Sequence, residues 1–543
     1  MKKLLRMLSY VIAFFVAIAV FGDAGLTKSM ALIVSRPANT TISPGAKLPE
    51  PVYDPRKPTV AILLGNTATE ATDFLGPYAM FAEAEVYNVY AIASSPSLRT
   101  LSGGLDVVPQ LTFAELDALL TRGPDIVVIP AMTDVRLHDN LPVLQWLRQQ
   151  ANGHTLLFSW CDGAEVLAES GLVDGKTVTS HWGSIDRYER AYPAVHWQRG
   201  MRYIDAGTLL TTAGLTSGID ATLHLLEKRN GGTVVAKVAA ALHLPESEFL
   251  KTPLMRQNVF SATDSTMVLN FAFGWPKRRA GIWLYDGVGE LDLAAALDVY
   301  GMTDHLHTVA DETKVRSHHG LHFVPRWTTE TLPSMGRLLV PGGIGASQIA
   351  TNVQRISRTP VSVLQDEAAP RFPFHVTLED VARTHDTATA SFAAKRLEVR
   401  TPLHLVGQRW PLGALSMLLV AGIAGALGLT AVAWLLTGPV PTEAYAKEIT
   451  LALCARDYET AFLHLGRAHI LAQRNTLKHV YTHWLMLRMG LRGSDYREVV
   501  GQVPRTLAAL VFSRIWIPEG NTGRARVNAL QPMPVPEDLR HLL

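Results

Sequence analysis

A cysteine stands between an apolar run and a glycine that opens a helical pattern. The stretch is His154-Thr-Leu-Leu-Phe-Ser-Trp-Cys161-Asp-Gly-Ala-Glu-Val-Leu-Ala168. The run before Cys161 predicts a buried strand, and the pattern from Gly163 predicts a helix. A residue at such a corner lies at a helix N-terminus, where the helix dipole and converging N–H groups favour a thiolate. Cys161 is therefore a candidate nucleophile. The alternative is a buried, unreactive cysteine.

The elements before Cys161 predict the kind of fold that would position it. Strand-like and helical segments alternate, which is typical of a parallel sheet covered by helices on both faces. Ligands of such sheets bind at the carboxyl ends of the strands, where Cys161 stands. The strand-like segments are 60–64, 86–93, 125–130 and 155–160.

Length and charge limit the classes of function. A chain of 543 residues is too long for a single core and predicts roughly two to four domains. The net charge of +2, without a basic stripe, predicts no nucleic-acid partner. The two cysteines, Cys161 and Cys454, lie in regions of different pattern, which excludes a framework of disulfides.

Part of the α/β pattern repeats after a little over 210 residues. The segment Asp73-Phe-Leu-Gly-Pro-Tyr-Ala-Met-Phe81 corresponds to Asp292-Leu-Ala-Ala-Ala-Leu-Asp-Val-Tyr300. Internal duplication is the simplest explanation. The second copy keeps Pro341-Gly-Gly343 but lacks the cysteine, so we expect a truncated, non-catalytic half-domain. We hypothesise that it packs against the first copy as a built-in partner.

Two apolar segments predict contact with a membrane. Residues 1–24 combine a basic start with an uncharged stretch and predict a signal or an anchor. Because Phe21-Gly-Asp-Ala24 is a poor cleavage site, an uncleaved anchor is favoured. Residues 411–436 are long enough to span a bilayer, and Trp410 and Trp434 suit its interfaces. The alternative for this segment is a buried core helix.

The orientation in the predicted bacterial cell membrane is left open. Lys2, Lys3 and Arg6 favour a cytoplasmic N-terminus, which places the α/β region outside and the C-terminal domain in the cytoplasm. The flanks of the second segment favour the opposite arrangement. Four basic residues precede it and two follow closely: Lys395, Arg396, Arg400 and Arg409, then Lys447 and Arg456.

Four stretches together resemble the ThiJ/PfpI family of the class I glutamine-amidotransferase-like superfamily, in the branch similar to AraC-fused regulators and isocyanide hydratase. They are Asp73-Phe-Leu-Gly-Pro77, Cys161-Asp-Gly-Ala164, 171–182 and 211–220. The resemblance implies a three-layer, flavodoxin-like α/β/α fold and a homodimer. The tail resembles a small helical bacterial family of uncharacterised function.

The resemblance implies that Cys161 is the elbow cysteine, that Asp73 is the acid beside it and that His181 lies near the pocket. Next to a thiolate, Asp73 is expected to be partly protonated, hydrogen-bonded to the sulfur and able to act as general acid. His181 is expected to orient a ligand or relay a proton. The alternatives are that Asp73 caps a helix and that His181 is a core residue.

The chain departs from the family pattern at two places. Asp162 follows the cysteine, and its carboxylate is expected to raise the pKa of the thiol. Pro130-Ala-Met132 replaces a Pro-Gly-Gly motif whose amides would line an oxyanion site. The candidates for that site in this chain are Ala131, Asp162 and Gly163.

The C-terminal domain contains four histidines, His464, His469, His479 and His483. The spacing of His479 and His483 places both on one helix face, where they could ligate a metal. No carboxylate motif accompanies them, so a histidine-lined packing face is favoured and no metal or cofactor is predicted.

Three functions remain open for a protein that recognises a small molecule. The first is a cofactor-independent, cysteine-dependent hydratase or hydrolase. The second is a ligand or redox sensor that signals across the membrane, and the third is a scaffold. The predicted domains are an anchor (1–24), a linker (25–58), the cysteine domain (59–245), its truncated copy (279–400), a transmembrane helix (411–436) and a helical domain (443–543).

Overall fold

The computed structural model describes residues 2–33, 51–246, 248–365, 367–436 and 438–543. The chain divides into two compact units. One contains residues 20–418, and the other contains residues 1–19 together with 419–543. Most of the predicted linker, residues 34–50, lies outside the described residues.

The chain begins with one long helix, α1 (Lys2–Ile33). Residues 25–33, which the sequence prediction assigned to the linker, are the last turns of this helix. The reason is local, because after Gly25 no glycine or proline interrupts the chain before Pro37.

The cysteine domain alternates strands with helices, as predicted. Its elements are β1 (Thr59–Leu63), α2 (Ala71–Glu83), β2 (Asn88–Ala93), β3 (Arg99–Leu101), β4 (Leu105–Val108), β5 (Leu111–Thr112), α3 (Phe113–Leu119), β6 (Ile126–Ile129), α4 (Leu141–Gln150), β7 (Leu156–Ser159), α5 (Gly163–Glu169), β8 (Thr177–Val178), α6 (Ile185–Ala191), β9 (His196–Trp197), β10 (Tyr203–Asp205), β11 (Leu209–Thr212), α7 (Leu215–Asn230) and α8 (Gly232–Ala241).

Seven of these strands form one sheet in the order β10-β11-β7-β6-β1-β2-β5. All neighbouring pairs are parallel except β10 with β11. Along β1, Val60 and Ile62 pack in one apolar cluster, and Ala61 and Leu63 pack in another. Because alternate residues of a strand point to opposite faces, the sheet is covered on both faces, as predicted.

A second α/β region follows in the same unit. Its elements are α9 (Ser265–Phe273), β12 (Arg279–Trp283), α10 (Glu290–Tyr300), β13 (His305–Val309), β14 (Val315–Arg316), β15 (His322–Val324), β16 (Arg337–Val340), α11 (Ala346–Ile356), β17 (Val361–Val363), α12 (Pro373–Thr384) and α13 (Thr387–Arg396). Its parallel sheet has the order β13-β12-β16-β17. The first region has strands in the corresponding order, β2-β1-β6-β7.

The two α/β regions share a core and a small sheet. The order of that sheet is β14-β15-β4-β3, and its central pair, β15 with β4, is antiparallel. Val107 pairs with Phe323 at the middle of this contact. Helices α2 and α10 contribute to the same apolar cluster, which also holds the inner faces of both large sheets.

Helix α14 (Leu412–Leu436) begins in the first unit, and its residues from 419 onward belong to the second. The second unit also contains the helices α15 (Thr442–Cys454), α16 (Tyr458–Ala472), α17 (Thr476–Arg492), α18 (Tyr496–Phe512) and α19 (Glu537–Arg540). The side chains of Asp457, Asn475 and Asp495 cap α16, α17 and α18 by accepting from backbone N–H groups. The predicted helical C-terminal region is confirmed.

Helices α1 and α14 are each long and apolar enough, by length and composition, to cross a membrane, over Leu8–Leu32 and Leu412–Trp434. The two helices approach each other closely at Gly422 and Gly425 of α14. A Cβ at Gly425 would lie 2.6 Å from the carbonyl oxygen of Ala13, and a Cβ at Gly422 would meet the ring of Phe14.

Candidate active site

Cys161 occupies the corner between β7 and α5. Its φ angle is +51°, in the left-handed region that non-glycine residues rarely adopt. Its N–H donates to Oγ1 of Thr212 at the end of β11 (3.1 Å), and 5% of the residue is exposed. The predicted strand, corner and helix are all present, and the corner residue has a strained backbone conformation.

Gly163 makes this corner sterically possible. A Cβ at this position would lie 1.9 Å from the carbonyl oxygen of Ile129 on the neighbouring strand. Only glycine permits such a close approach of α5 to β6. Sequence analysis named Gly163 as a candidate to line an oxyanion site. Its N–H instead donates to the carbonyl of Trp160 (2.7 Å) and closes the turn.

Asp73 projects from the first turn of α2 and is buried. Its Oδ2 accepts from the N–H of Ala131 (3.1 Å), and its Oδ1 has no hydrogen-bond partner among the described residues. The expected hydrogen bond from Asp73 to the sulfur is therefore absent from the described residues, although Oδ1 is not engaged elsewhere. The N–H of Ala131, the second oxyanion candidate, is engaged in the same contact.

Burial raises the pKa of the Asp73 carboxyl well above its usual range, and the nearby charges of Asp298 and Asp162 raise it further. The hydrogen bond from Ala131 opposes this shift without cancelling it. The protonated form that the sequence analysis expected is thus favoured, with Oδ1 as the oxygen free to donate.

Two further carboxyls adjoin Asp73. Glu70 precedes α2 and accepts from the N–H of Asp73 (2.9 Å). Asp298, on α10 of the second region, accepts from the N–H of Thr72 (3.1 Å). Burial raises the pKa of Glu70 well above its usual range, and the charge of Asp298 adds to this. Neither residue was predicted; the sequence placed Asp298 in the repeat of the Asp73 helix without indicating this contact.

One cation faces this acidic group. Nη2 of Arg396, on α13, lies 3.8 Å from Oε1 of Glu70. Burial alone would lower the pKa of Arg396, but the charges of Asp298 and Glu70 hold it above its ordinary value. Sequence analysis used Arg396 only as a membrane-flanking charge. Its position here depends on the packing of the second region.

The thiol of Cys161 is held in its neutral form. Burial raises its pKa well above the ordinary value, and the charge of Asp162 raises it further. The expected effect of Asp162 is confirmed, and the expectation of a thiolate favoured by the helix dipole is not supported. The Asp162 carboxylate accepts from the hydroxyls of Ser180 (2.8 Å) and Ser184 (2.6 Å) and makes no capping bond to α5.

Both ring nitrogens of His181 have backbone partners. Nδ1 accepts from the N–H of Gly183 (3.2 Å), so Nε2 carries the hydrogen and donates to the carbonyl of Arg396 (3.1 Å). His181 thus holds the segment that supplies the arginine.

The two weak metal candidates lie elsewhere. His479 and His483 are buried in the helical C-terminal unit, next to a third histidine, His469.

Two family models match parts of this chain. Residues 58–228 match the model of the DJ-1/PfpI family, and residues 441–543 match a family described as a protein of unknown function (DUF3703). Isonitrile hydratase of Pseudomonas putida is 30% identical over 162 residues, which are 29% of this chain and 67% of that enzyme.

Two transcriptional regulators of Pseudomonas aeruginosa also match. The HTH-type regulator CdhR is 35% identical over 97 residues, which are 18% of this chain and 29% of CdhR. The HTH-type regulator GbdR is 25% identical over 157 residues, which are 28% of this chain and 41% of GbdR. The chain therefore spans less than half of the length of either regulator.

Among solved structures, Drosophila melanogaster DJ-1beta matches with a TM-score of 0.32 and 20% identity, over 35% of this chain and all of that one. A ThiJ/PfpI family protein from Pseudomonas syringae matches with a TM-score of 0.31 and 23% identity, over 39% of this chain and 84% of that one.

Proposed function

Since this chain belongs to the DJ-1/PfpI family through residues 58–228, we propose that its Cys161 site acts on a small uncharged molecule by hydratase-type addition. The observation that carries the proposal is Asp73. Its carboxyl is buried beside the thiol, its pKa is raised, and its Oδ1 has no hydrogen-bond partner among the described residues. A carboxyl in this state is a proton donor for a bound molecule.

The chemistry does not need a free thiolate. With an isocyanide, the sulfur of Cys161 bonds to the terminal carbon while Asp73 protonates that carbon, and the thiol proton restores the Asp73 carboxyl. Water then adds to the carbon of the resulting thioimidate. Loss of the thiol releases an N-substituted formamide and regenerates Cys161.

The test is the hydration of a small alkyl isocyanide by the purified full chain, with formamide measured by NMR. We expect Cys161→Ala to abolish turnover and Asp73→Asn to lower its rate roughly 100- to 10,000-fold. Asp174→Asn, at an exposed aspartate, is the matched control and should leave the rate unchanged. Formamide production by Cys161→Ala at the wild-type rate would contradict the proposal.

A second candidate function is ligand sensing. It is supported by the neutral, buried thiol and by the engagement of the N–H groups of Ala131 and Gly163, two of the three predicted oxyanion candidates. The similarity to two regulators also supports it. Because oxidation follows thiolate character and exposure, these features favour a ligand over an oxidant as the signal. An isocyanide that raises the Tm of the wild type but is not consumed would favour the sensor over the enzyme.

We also infer that α1 and α14 anchor the protein in the bacterial cell membrane. Their length, apolar composition and close contact at Gly422 and Gly425 support this. The basic N-terminus favours an orientation with the C-terminal helical unit in the cytoplasm. In a Cys161→Ala background, the exposed Cys454 should then resist a membrane-impermeant maleimide in intact cells and react after lysis. Labelling in intact cells would reverse the orientation.

We further propose that the second α/β region is a truncated duplicate that serves as a built-in partner. The corresponding strand orders of the two sheets support a duplication. In the repeat, the stretch 102–109 also corresponds to 318–325, so Asp106, Val107 and Val108 of β4 match His322, Phe323 and Val324 of β15. In the pairing of β4 with β15, Val107 is opposite its counterpart Phe323, Val108 is opposite His322, and Asp106 is opposite Val324. This reciprocal register is that of an isologous interface, which in this chain forms within one polypeptide.

A further inference from the structure

Three buried histidines meet in the C-terminal unit. His469 lies on α16, and His479 and His483 lie one turn apart on α17. Nε2 of His469 is 2.8 Å from Nε2 of His479 and 3.1 Å from Nε2 of His483. The three side chains therefore present the same ring nitrogen to one shared point.

The other nitrogen of each ring is held by an acceptor, which fixes the tautomer. Nδ1 of His469 is 2.8 Å from the carbonyl oxygen of Asn521. Because a carbonyl oxygen only accepts, this Nδ1 carries a hydrogen and donates it. The Nε2 of a neutral His469 is then a bare lone pair.

The same holds for His479. Its Nδ1 is 2.8 Å from Oγ of Ser513, whose own hydrogen is donated to the carbonyl of Ala509. The serine oxygen therefore accepts from Nδ1, and Nε2 of His479 is also a lone pair.

His483 completes the set. Its Nδ1 is 2.6 Å from Oε1 of Gln502. The amide nitrogen of Gln502 donates to Oε1 of Glu498 (2.6 Å) and to the carbonyl of Gly523 (2.9 Å), which fixes the orientation of the amide. Oε1 can then only accept, so His483 donates from Nδ1.

Three imidazole lone pairs thus face one another at hydrogen-bond distances without hydrogens between them. Lone pairs at this separation repel unless a cation lies among them. A packing face of histidines, which sequence analysis favoured, would also need an acceptor for each ring N–H, but it gives no reason for three bare Nε2 atoms to converge.

We propose that His469, His479 and His483 bind a divalent transition metal through their Nε2 atoms. Zinc is the metal that the site suits best. Imidazole nitrogens suit zinc and its neighbours, whereas calcium and magnesium take oxygen ligands. Zinc–nitrogen bonds of ~2.1 Å in tetrahedral geometry separate the nitrogens by ~3.4 Å, so the rings need move only slightly. The acceptors on Nδ1 are the outer-shell contacts that orient metal-binding histidines.

A fourth coordination position opens toward a cavity. The cavity has a volume of about 190 Å³, and the three histidines line it together with apolar side chains that include Phe512 and Trp516. Three protein ligands with one open position are typical of a zinc that binds an exchangeable ligand, in contrast to a closed structural site. Behind Gln502, the buried Glu498 has one carboxyl oxygen without a hydrogen-bond partner among the described residues and can balance part of the metal charge.

The test uses the purified full chain, stripped with a chelator, reloaded with zinc sulfate and desalted. We expect about one zinc per chain in the wild type by elemental analysis, and loss of this zinc in His469→Ala, His479→Ala and His483→Ala. His541→Ala, at an exposed histidine of the same unit, is the matched control and should retain the metal. Failure of the wild type to retain zinc, cobalt or copper would overturn the proposal, as would wild-type zinc content in all three variants.

Two measurements remain informative if the alanine variants do not fold. X-ray absorption on the zinc-loaded wild type should show three imidazole nitrogens and one further light atom, and fewer imidazoles would contradict the site. Gln502→Met removes the acceptor of His483 and keeps the three ligands, so zinc affinity by chelator competition should fall roughly 10- to 100-fold. An unchanged affinity would contradict the outer-shell role of Gln502.

Discussion

The guanidinium of Arg396 lies 3.8 Å from the carboxyl group of Glu70 and brings a positive charge of the second α/β region to the acidic site of the first. Glu70 in turn accepts from the N–H of Asp73, the acid beside Cys161. The site of the first region is therefore electrostatically incomplete without the second. This relationship gives the second region a role in the site although it lacks the cysteine.

The first prediction concerns this cation. Arg396 favours the thiolate of Cys161, so Arg396→Met should raise the pKa of the thiol further. Because a higher pKa leaves less thiolate at a given pH, we expect alkylation by iodoacetamide to slow roughly tenfold at constant pH, measured by mass spectrometry. Arg400→Met, four residues away and exposed, is the control. Equal alkylation rates in wild type and Arg396→Met would argue against a field from Arg396.

The second prediction concerns the carboxylate next to the sulfur. An ionised Asp162 opposes the thiolate, so Asp162→Asn should lower the pKa of Cys161 and move its alkylation profile to lower pH. In the wild type the thiol should stay largely unreactive at pH 7 and gain reactivity as the pH rises beyond its ordinary pKa of ~8.5. Asp174→Asn should reproduce the wild-type profile. If the alkylation profile of Asp162→Asn lay at higher pH than that of the wild type, Asp162 would favour the thiolate and the prediction would be wrong.

The third prediction concerns the corner glycine. Gly163→Ala places a Cβ 1.9 Å from the Ile129 carbonyl oxygen, and both partners belong to rigid backbone. We expect a loss of about 3 kcal/mol or more in the free energy of unfolding, seen in urea denaturation. Gly232→Ala meets no atom within 4 Å and should cost little. Comparable stability of the two variants would mean that α5 can move away from β6.

The fourth prediction concerns an ion pair between the two α/β regions. Nδ1 of His319 lies 2.8 Å from Glu290, and Nε2 lies 3.0 Å from Glu83 on α2. Burial alone would lower the pKa of His319, but the two carboxylates raise it above its ordinary value, and they hold the ring as an imidazolium between them.

Because the folded-state pKa of His319 is raised, its contribution is fully present below about pH 6.5 and is lost as the pH rises through the folded value. His319→Gln should therefore destabilise the protein by about 2 kcal/mol near pH 6 and by less near pH 9. His318→Gln, at the exposed neighbouring histidine, should have little effect at either pH. If the loss of stability in His319→Gln were larger at pH 9 than at pH 6, a charged His319 would be contradicted.

The fifth prediction concerns whether the first α/β region is stable and soluble without the second. A fragment of residues 59–243 would expose the edge of β4 and the apolar side of α2, which the second region covers in the full chain. We expect the fragment to aggregate or self-associate in size-exclusion chromatography. A stable, soluble monomer would contradict the packing role of the second region.

Sequence patterns predicted the elements that place Cys161. The apolar runs and the helical periodicity between them are local signals, and the resulting parallel sheet is present. The strand, the corner and the helix around Cys161 follow from Trp160-Cys-Asp-Gly163 because only glycine fits beside Ile129. The raised pKa of the thiol next to Asp162 was also predicted, since the two residues are neighbours in the chain.

The hydrogen bonds and charge contacts of the site could not be predicted from local sequence patterns. Asp73 was expected to form a hydrogen bond to the sulfur, yet its carboxyl accepts from the N–H of Ala131 instead. Arg396 and Asp298 come to the site from elements far along the chain. Likewise the helical spacing of His479 and His483 was visible, whereas the approach of His469 from another helix was not.

The sequence by itself determined where the cysteine corner lies and which kind of sheet carries it, because steric fit and periodicity act over a few residues. Only the tertiary structure decided which charges and lone pairs meet, because electrostatic partners are selected by distance in space and not by separation along the chain.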